Sequence, residues 1–150
     1  KSKMSPYHSY FQDFRKYNWV GIHVRRGDYL EEWRGHGLTT KDYYQSALSL
    51  IRSLDKPNLI VVFSDSIDIA KSIVPNADYY ISSEDLYSPA ETLKLMSCAN
   101  NFIGANSTFS WWAAFQLNES ALAVFPRPWF SKRINNTDDL LMPKWLTLGS

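Results

Sequence analysis

A single cysteine, Cys98, leaves this 150-residue chain without an intrachain disulfide, and no second cysteine or close histidine pair supplies a zinc set. The fold therefore needs no oxidising compartment. Apolar runs stop at roughly seven residues, far short of the about 20 that span a bilayer. The start Lys1-Ser2-Lys3-Met4 also lacks the apolar stretch of a signal peptide, so the sequence reads as a soluble chain. Charge of one sign is missing too: Lys plus Arg number 16 against 15 Asp plus Glu, a net charge of +1. No global field recruits nucleic acid or anionic lipid, and any anion must be bound locally. No long polar tract, internal repeat or interdomain linker interrupts the chain.

What is present is globular. Hydrophobic residues make up 45% and charged residues 21%, and at this size about two thirds of the unfolded surface can be buried. The run Trp19 to Val24 is short and β-rich and ends in a charged loop, Arg25 to Asp28, which predicts a buried strand. Thr39 with Asp42 resembles a capping box, followed by apolar residues at helical spacing to Leu54. Leu59 to Phe63 is continuously apolar, as in a parallel strand covered on both faces. A short helix from Ile67 to Val74 and a strand from Ala77 to Ile81 follow.

Ser88-Pro89-Ala90-Glu91 combines an N-cap, a first-turn proline and a capping-box glutamate. Beyond it lie a strand over Asn101 to Ala105, a turn at Asn106-Ser107-Thr108, a buried helix over Phe109 to Leu117, and a last strand over Leu122 to Phe125. Residues 1–18 read as a lead-in segment and 126–150 as an irregular Pro- and Trp-rich tail. Alternating strands and helices imply right-handed βαβ units, hence a Rossmann-like, open, mostly parallel sheet with helices on both faces. Such sheets bind ligands at the carboxyl ends of their strands. That rule selects Arg25 to Asp28, Ser64 to Asp68, Ser82 to Tyr87 and Asn106 to Ser110.

Two of these segments carry chemistry. In His23-Val24-Arg25-Arg26-Gly27-Asp28 alternate residues share a face, so His23 and Arg25 point one way and Arg26 the other. A guanidinium matches phosphate or carboxylate, which makes a diphosphate clamp one reading; a turn neutralised by Asp28 is the other. His23 could hold a ribose, a base or a phosphate, or satisfy a neighbouring carbonyl. In the second segment, Asn106-Ser107-Thr108-Phe109-Ser110 opens a helix, where free backbone N–H groups and small hydroxyls suit a phosphate; ordinary N-capping is the plain alternative. Trp111, Trp112 and Phe115 are read as core and Cys98 as a small buried hydrophobe on a helix. No D-x-D triplet offers a Mg²⁺ set, so arginine charge must compensate the diphosphate and no metal is expected.

His23 to Tyr29, Val62-Phe63-Ser64-Asp65, and Phe102 to Ala114 resemble, in order and spacing, the three motifs of the α-1,2-fucosyltransferases, glycosyltransferase family 11. The likeness runs from about Val20 to Leu146, and the third motif is the specific one. It implies one lobe of a GT-B-like fold that transfers fucose from GDP-β-L-fucose, with inversion, to the 2-hydroxyl of a galactose-terminated acceptor. By the same resemblance Arg25 contacts the β-phosphate, Arg26 supports the loop or leaving group, and Asp28 belongs to the catalytic set. His23, Ser64, Asp65 and the stretch Asn106, Ser107, Thr108, Phe109 and Ser110 would bind the donor, with the Thr108 and Ser110 hydroxyls on phosphate. Where many relatives carry Ser-Asp-Asp, this chain has Ser64-Asp65-Ser66.

Guanine calls for a carboxylate acceptor, with Glu84, Asp85 and Glu91 as candidates; the sequence identifies no general base, with Asp28, Glu31 and Glu32 near in sequence, a residue of another lobe, or no base at all as the alternatives. The motif that lies near mid-chain in relatives starts here at His23, so residues 1–150 are expected to be the donor-binding C-terminal portion of a longer, two-lobed enzyme, inactive without its N-terminal lobe. A non-catalytic GDP or GDP-sugar binding module is the alternative. One cysteine and no signal suggest a bacterial cytoplasmic enzyme, with a membrane-peripheral position or the Golgi lumen as other settings.

Overall fold

A computed structural model describes residues 5–25, 39–82, 84–86, 88–127 and 140–149. Arg26, Asp28, Glu31 and Glu32 lie outside the described residues. The elements run α1 (Pro6–Phe14), β1 (Trp19–Val24), α2 (Lys41–Leu54), β2 (Leu59–Ser64), α3 (Ile67–Ile73), β3 (Tyr79–Ser82), α4 (Pro89–Met96), β4 (Asn101–Ile103), α5 (Thr108–Phe115), β5 (Leu122–Arg127) and β6 (Leu146–Gly149). The strands form one sheet in the order β3-β2-β1-β4-β5-β6, every pairing parallel. This is the order of doubly wound nucleotide-binding sheets, and the strand order reverses between β1 and β4.

Period-two alternation sorts β1 between two cores. Trp19 packs with Phe14 of α1, Leu95 and Met96 of α4, and Ala113 and Ala114 of α5. Val20, Ile22 and Val24 pack on the other face with Tyr43, Tyr44, Ala47 and Ile51 of α2 and with Ala70 and Ile73 of α3. His23 and Arg25 therefore share the α4–α5 side. No helix among the described residues is long and apolar enough to cross a membrane.

Several expectations need correction. The lead-in segment contains α1, started by the Ser5 side chain accepting the Tyr7 N–H and by Pro6 at its first position. The irregular tail contains part of β5 and an edge strand, β6. Pro126 is tolerated inside β5 because the Val124 carbonyl accepts the Gly104 N–H, so the nitrogen two residues on faces the side where β4 has already ended.

The cap of α2 is Thr40, whose Oγ1 accepts the Tyr43 N–H at 3.2 Å, while Thr39 is buried and bonded to the Tyr44 hydroxyl at 2.9 Å. Cys98 lies past the end of α4, half-buried, with Sγ donating to the Lys94 carbonyl at 3.2 Å. Trp111 packs edge-on against Trp145, at 5.8 Å, and donates its indole N–H to the Leu140 carbonyl at 2.6 Å. Trp112 and Phe115 are half exposed instead of core, because α5 buries only its Ser110, Ala113 and Ala114 edge.

Gly104, just past β4, sits where only a hydrogen fits. A Cβ there would overlap the ring edge of Phe125, a fully buried side chain stacked on Trp145 at 4.6 Å. Gly104→Ala is expected to cost roughly 2 kcal/mol of stability by overpacking. Urea unfolding of the two chains measures it, and a loss under about 0.5 kcal/mol would show the contact to be slack.

Candidate functional site

At the β1/β4 reversal, α2 reaches through from below the sheet. The Tyr44 hydroxyl donates to the His23 carbonyl at 2.8 Å and the Tyr43 hydroxyl to the Gly104 carbonyl at 2.6 Å. Both tyrosines are buried, so the ends of the two strands that flank the crevice are pinned by satisfied core hydrogen bonds. Above them opens a cleft of about 290 Å³ lined by residues from β1, β2, β3, α4 and α5. His23, Arg25, Ser64, Asp65, Ser107, Thr108 and Phe109, all expected from the sequence, line it.

Their roles differ. Arg25 Nη1 stands 3.7 Å from Asp65 Oδ2, with side-chain exposures of 30% and 20%, so the cation and the carboxylate face each other across the cleft mouth. Thr108 is exposed at the first position of α5 and presents that helix's N-terminal turn to the cleft. The Ser107 hydroxyl caps α5 by accepting the Phe109 N–H at 3.2 Å. The Ser64 hydroxyl ties β2 to β1, donating to the Val24 carbonyl at 2.7 Å and accepting the Ser66 N–H at 3.0 Å.

Ser110 is fully buried and does not line the cleft; its Oγ accepts the Ala105 N–H at 3.0 Å and meets Nδ1 of His23 at 2.5 Å. Asn106 is buried and also outside the lining. His23 is 5% exposed, its ring centroid 5.7 Å from that of Phe109. Burial, reinforced by the Arg25 guanidinium and opposed by the Asp65 carboxylate, lowers its pKa to about 4.

Of the candidate guanine carboxylates, none lines the cleft. Asp85 Oδ2 accepts the Ser82 N–H at 2.7 Å, the Glu84 N–H donates to the Ser82 hydroxyl at 3.2 Å, and the Glu91 N–H donates to the Ser88 hydroxyl at 3.3 Å, as the capping box requires. Sequence reasoning missed Phe63, Ile81, Pro89 and Thr92, which supply much of the wall. Thr92 had a signal: it lies in the first turn of a helix whose start is plain and whose N-terminus must return to the same sheet edge.

The cleft thus joins a half-buried guanidinium, a helix N-terminus and an uncharged imidazole, a set suited to an anion that carries apolar or neutral polar groups. The chain has relatives among known proteins. The chain is 38% identical over 139 residues to the O-antigen biosynthesis glycosyltransferase WbnK of Escherichia coli, covering 87% of this chain and 45% of that protein. It is 33% identical to an alpha-1,2-colitosyltransferase of Escherichia coli, with 87% and 48% covered. It is 29% identical to the galactoside 2-alpha-L-fucosyltransferase SEC1 of Bos taurus, with 91% and 39% covered. The chain therefore spans less than half the length of these curated relatives. The model of the family described as Glycosyl transferase family 11 matches residues 9–149, all but the first eight residues and the last one and including every residue that lines the cleft, and the chain belongs to that family.

Proposed function

We propose that this chain is the donor-binding unit of an α-1,2-fucosyltransferase, which moves L-fucose from GDP-β-L-fucose, with inversion, to the 2-hydroxyl of a galactoside. The observation that carries the reading is the meeting of Arg25 and the Thr108 end of α5 in one cleft at the strand-order reversal. Departure of GDP from the anomeric carbon leaves negative charge growing on the β-phosphate. Arg25 and the N-terminal turn of α5 at Thr108 would meet that charge, and groups fixed before the reaction stabilise the transition state more than the ground state. Arg26 and Asp28 enter the same proposal from the sequence motif alone, as does the second lobe that would hold the acceptor glycan.

The relatives' names support the reaction class: galactoside fucosyltransferases from mammals and a colitosyltransferase from a bacterium, all assigned to 2-linked or 1,2-linked transfer. With a bacterial relative named for O-antigen biosynthesis, a cytoplasmic enzyme making surface glycans is the setting we propose.

Calorimetry should find that GDP binds this chain while free fucose and lactose do not. Transfer of labelled fucose from GDP-fucose to lactose by the whole gene product, beside a donor carrying colitose, tests the reaction and the donor sugar. Saturating EDTA is expected to leave both binding and transfer unchanged, since no D-x-D triplet is available to hold a metal on the diphosphate. Activity lost on chelation and restored by Mg²⁺ or Mn²⁺ would overturn the charge argument, and absence of GDP binding would overturn the site.

A further inference from the structure

We infer that Ser110 is a positioning residue for His23: its buried hydroxyl fixes the imidazole as the Nε2–H tautomer, leaving a neutral N–H donor for an acceptor atom of the bound nucleotide sugar. The ligand class rests on the function proposed above; the tautomer does not. A serine hydroxyl has one proton to donate and two lone pairs. One lone pair of Ser110 Oγ takes the Ala105 N–H, and the other group at this oxygen among the described residues is Nδ1 of His23.

If Nδ1 carried the ring proton, the hydroxyl proton would be left without an acceptor in a place with no solvent access, an arrangement that native interiors avoid. The hydroxyl therefore donates to Nδ1, and the neutral ring keeps its proton on Nε2. Among the described residues nothing accepts that proton, although His23 is more than nine-tenths buried and lines the cleft. A buried donor with no protein partner in a cleft wall is a group that a ligand satisfies.

The charged groups acting on the ring are Arg25 on its own strand and Asp65 at the end of β2. Pro89 and Thr92, which α4 contributes to the wall, carry no charge, and α5 has no titratable residue. A neutral donor reads an acceptor without adding to the cation count of the cleft, so Arg25 and His23 divide the work of charge and geometry. The same network accounts for Ser110 being absent from the cleft lining: its hydroxyl is spent on the two protein groups behind the ring.

The test is ring-nitrogen NMR on the ¹⁵N-labelled, ligand-free chain at neutral pH. His23 is expected to show a pyridine-type Nδ1 and a protonated Nε2, and Ser110→Ala a mixture of the two tautomers. A protonated Nδ1 in the unmodified chain overturns the inference whether or not Ser110→Ala folds. GDP titrations supply the functional arm, because a glutamine amide reaches the place of Nε2 and an asparagine amide that of Nδ1. His23→Gln should bind GDP about tenfold more tightly than His23→Asn, the difference of one hydrogen bond. Equal affinities of the two variants would also overturn it. If the unmodified chain does not bind GDP at all, the nucleotide reading fails while the ring spectrum still decides the role of Ser110.

Discussion

Arg25→Ala is expected to weaken GDP binding ten- to a hundredfold in calorimetry on variants that keep the far-ultraviolet spectrum of the parent. A charge-assisted hydrogen bond contributes about 1.5–3 kcal/mol, and each 1.4 kcal/mol is about tenfold in affinity. In the ligand-free chain the guanidinium faces Asp65 at 3.7 Å, longer than a well-formed charge-assisted hydrogen bond, with about a third of its side chain exposed. That pair keeps the cation at the cleft mouth. A diphosphate brings more charge and two oxygens on one face, which suits the rigid fork of a guanidinium. Arg25→Lys should recover only part of the affinity, because a point charge replaces the fork. Unchanged GDP affinity in Arg25→Ala would remove the clamp from the mechanism and leave the helix N-terminus to hold the phosphates alone.

Much of this site is legible in the sequence because the rules that expose it are local. Period-two alternation along Trp19 to Val24 puts His23 and Arg25 on one face, and the structure has both in the cleft lining. The Ser88-Pro89 signature marks the start of α4, with Ser88 as N-cap. The same signature, Ser5-Pro6, marks α1, and Tyr7, Tyr10, Phe11 and Phe14 recur behind it at helical spacing; what weakens the signal is the low helix propensity of its aromatic and short polar residues. Strand β6 is hidden for a different reason. It is short, follows Pro143 and pairs only with β5, so nothing but its tertiary partner makes it a strand.

The hydroxyls show where residue type stops being informative. Ser64, Ser107, Thr108 and Ser110 all fit a phosphate by chemistry, yet Ser64 ties two strands, Ser107 caps a helix, and Ser110 turns to His23. Which of them meets a ligand depends on direction within a turn, and spacing alone does not carry that. Trp112 and Phe115 make the same point on α5: an apolar run predicts burial on some face but cannot say how far around the helix the core extends.

Lowering the pH from about 6.5 to about 4 is expected to remove on the order of 3 kcal/mol of folding stability through His23 alone. In the unfolded chain this histidine takes up its proton at its ordinary value of 6.5, whereas in the fold burial and Arg25 hold it to about 4. Between those two values the unfolded chain binds more protons than the folded one, so stability falls as the pH falls, and below about 4 the contribution is fully lost. The direction follows from the site itself. A protonated ring has donors at both nitrogens, and the Ser110 hydroxyl that donates to Nδ1 would then have to turn away inside a closed pocket.

Carboxylate protonation adds its own acid destabilisation at the lower end of this window, so the measurement is a difference. Urea unfolding of the parent chain and of His23→Gln, at several pH values from about 7.5 to about 4.5, separates the two. A glutamine side chain has no proton to gain, so whatever that substitution does to stability at neutral pH, the variant's profile should be flatter through the upper part of the window. Parallel profiles for the two chains would mean that His23 titrates alike in the folded and unfolded states. The burial of its ring would then not be what sets its proton affinity.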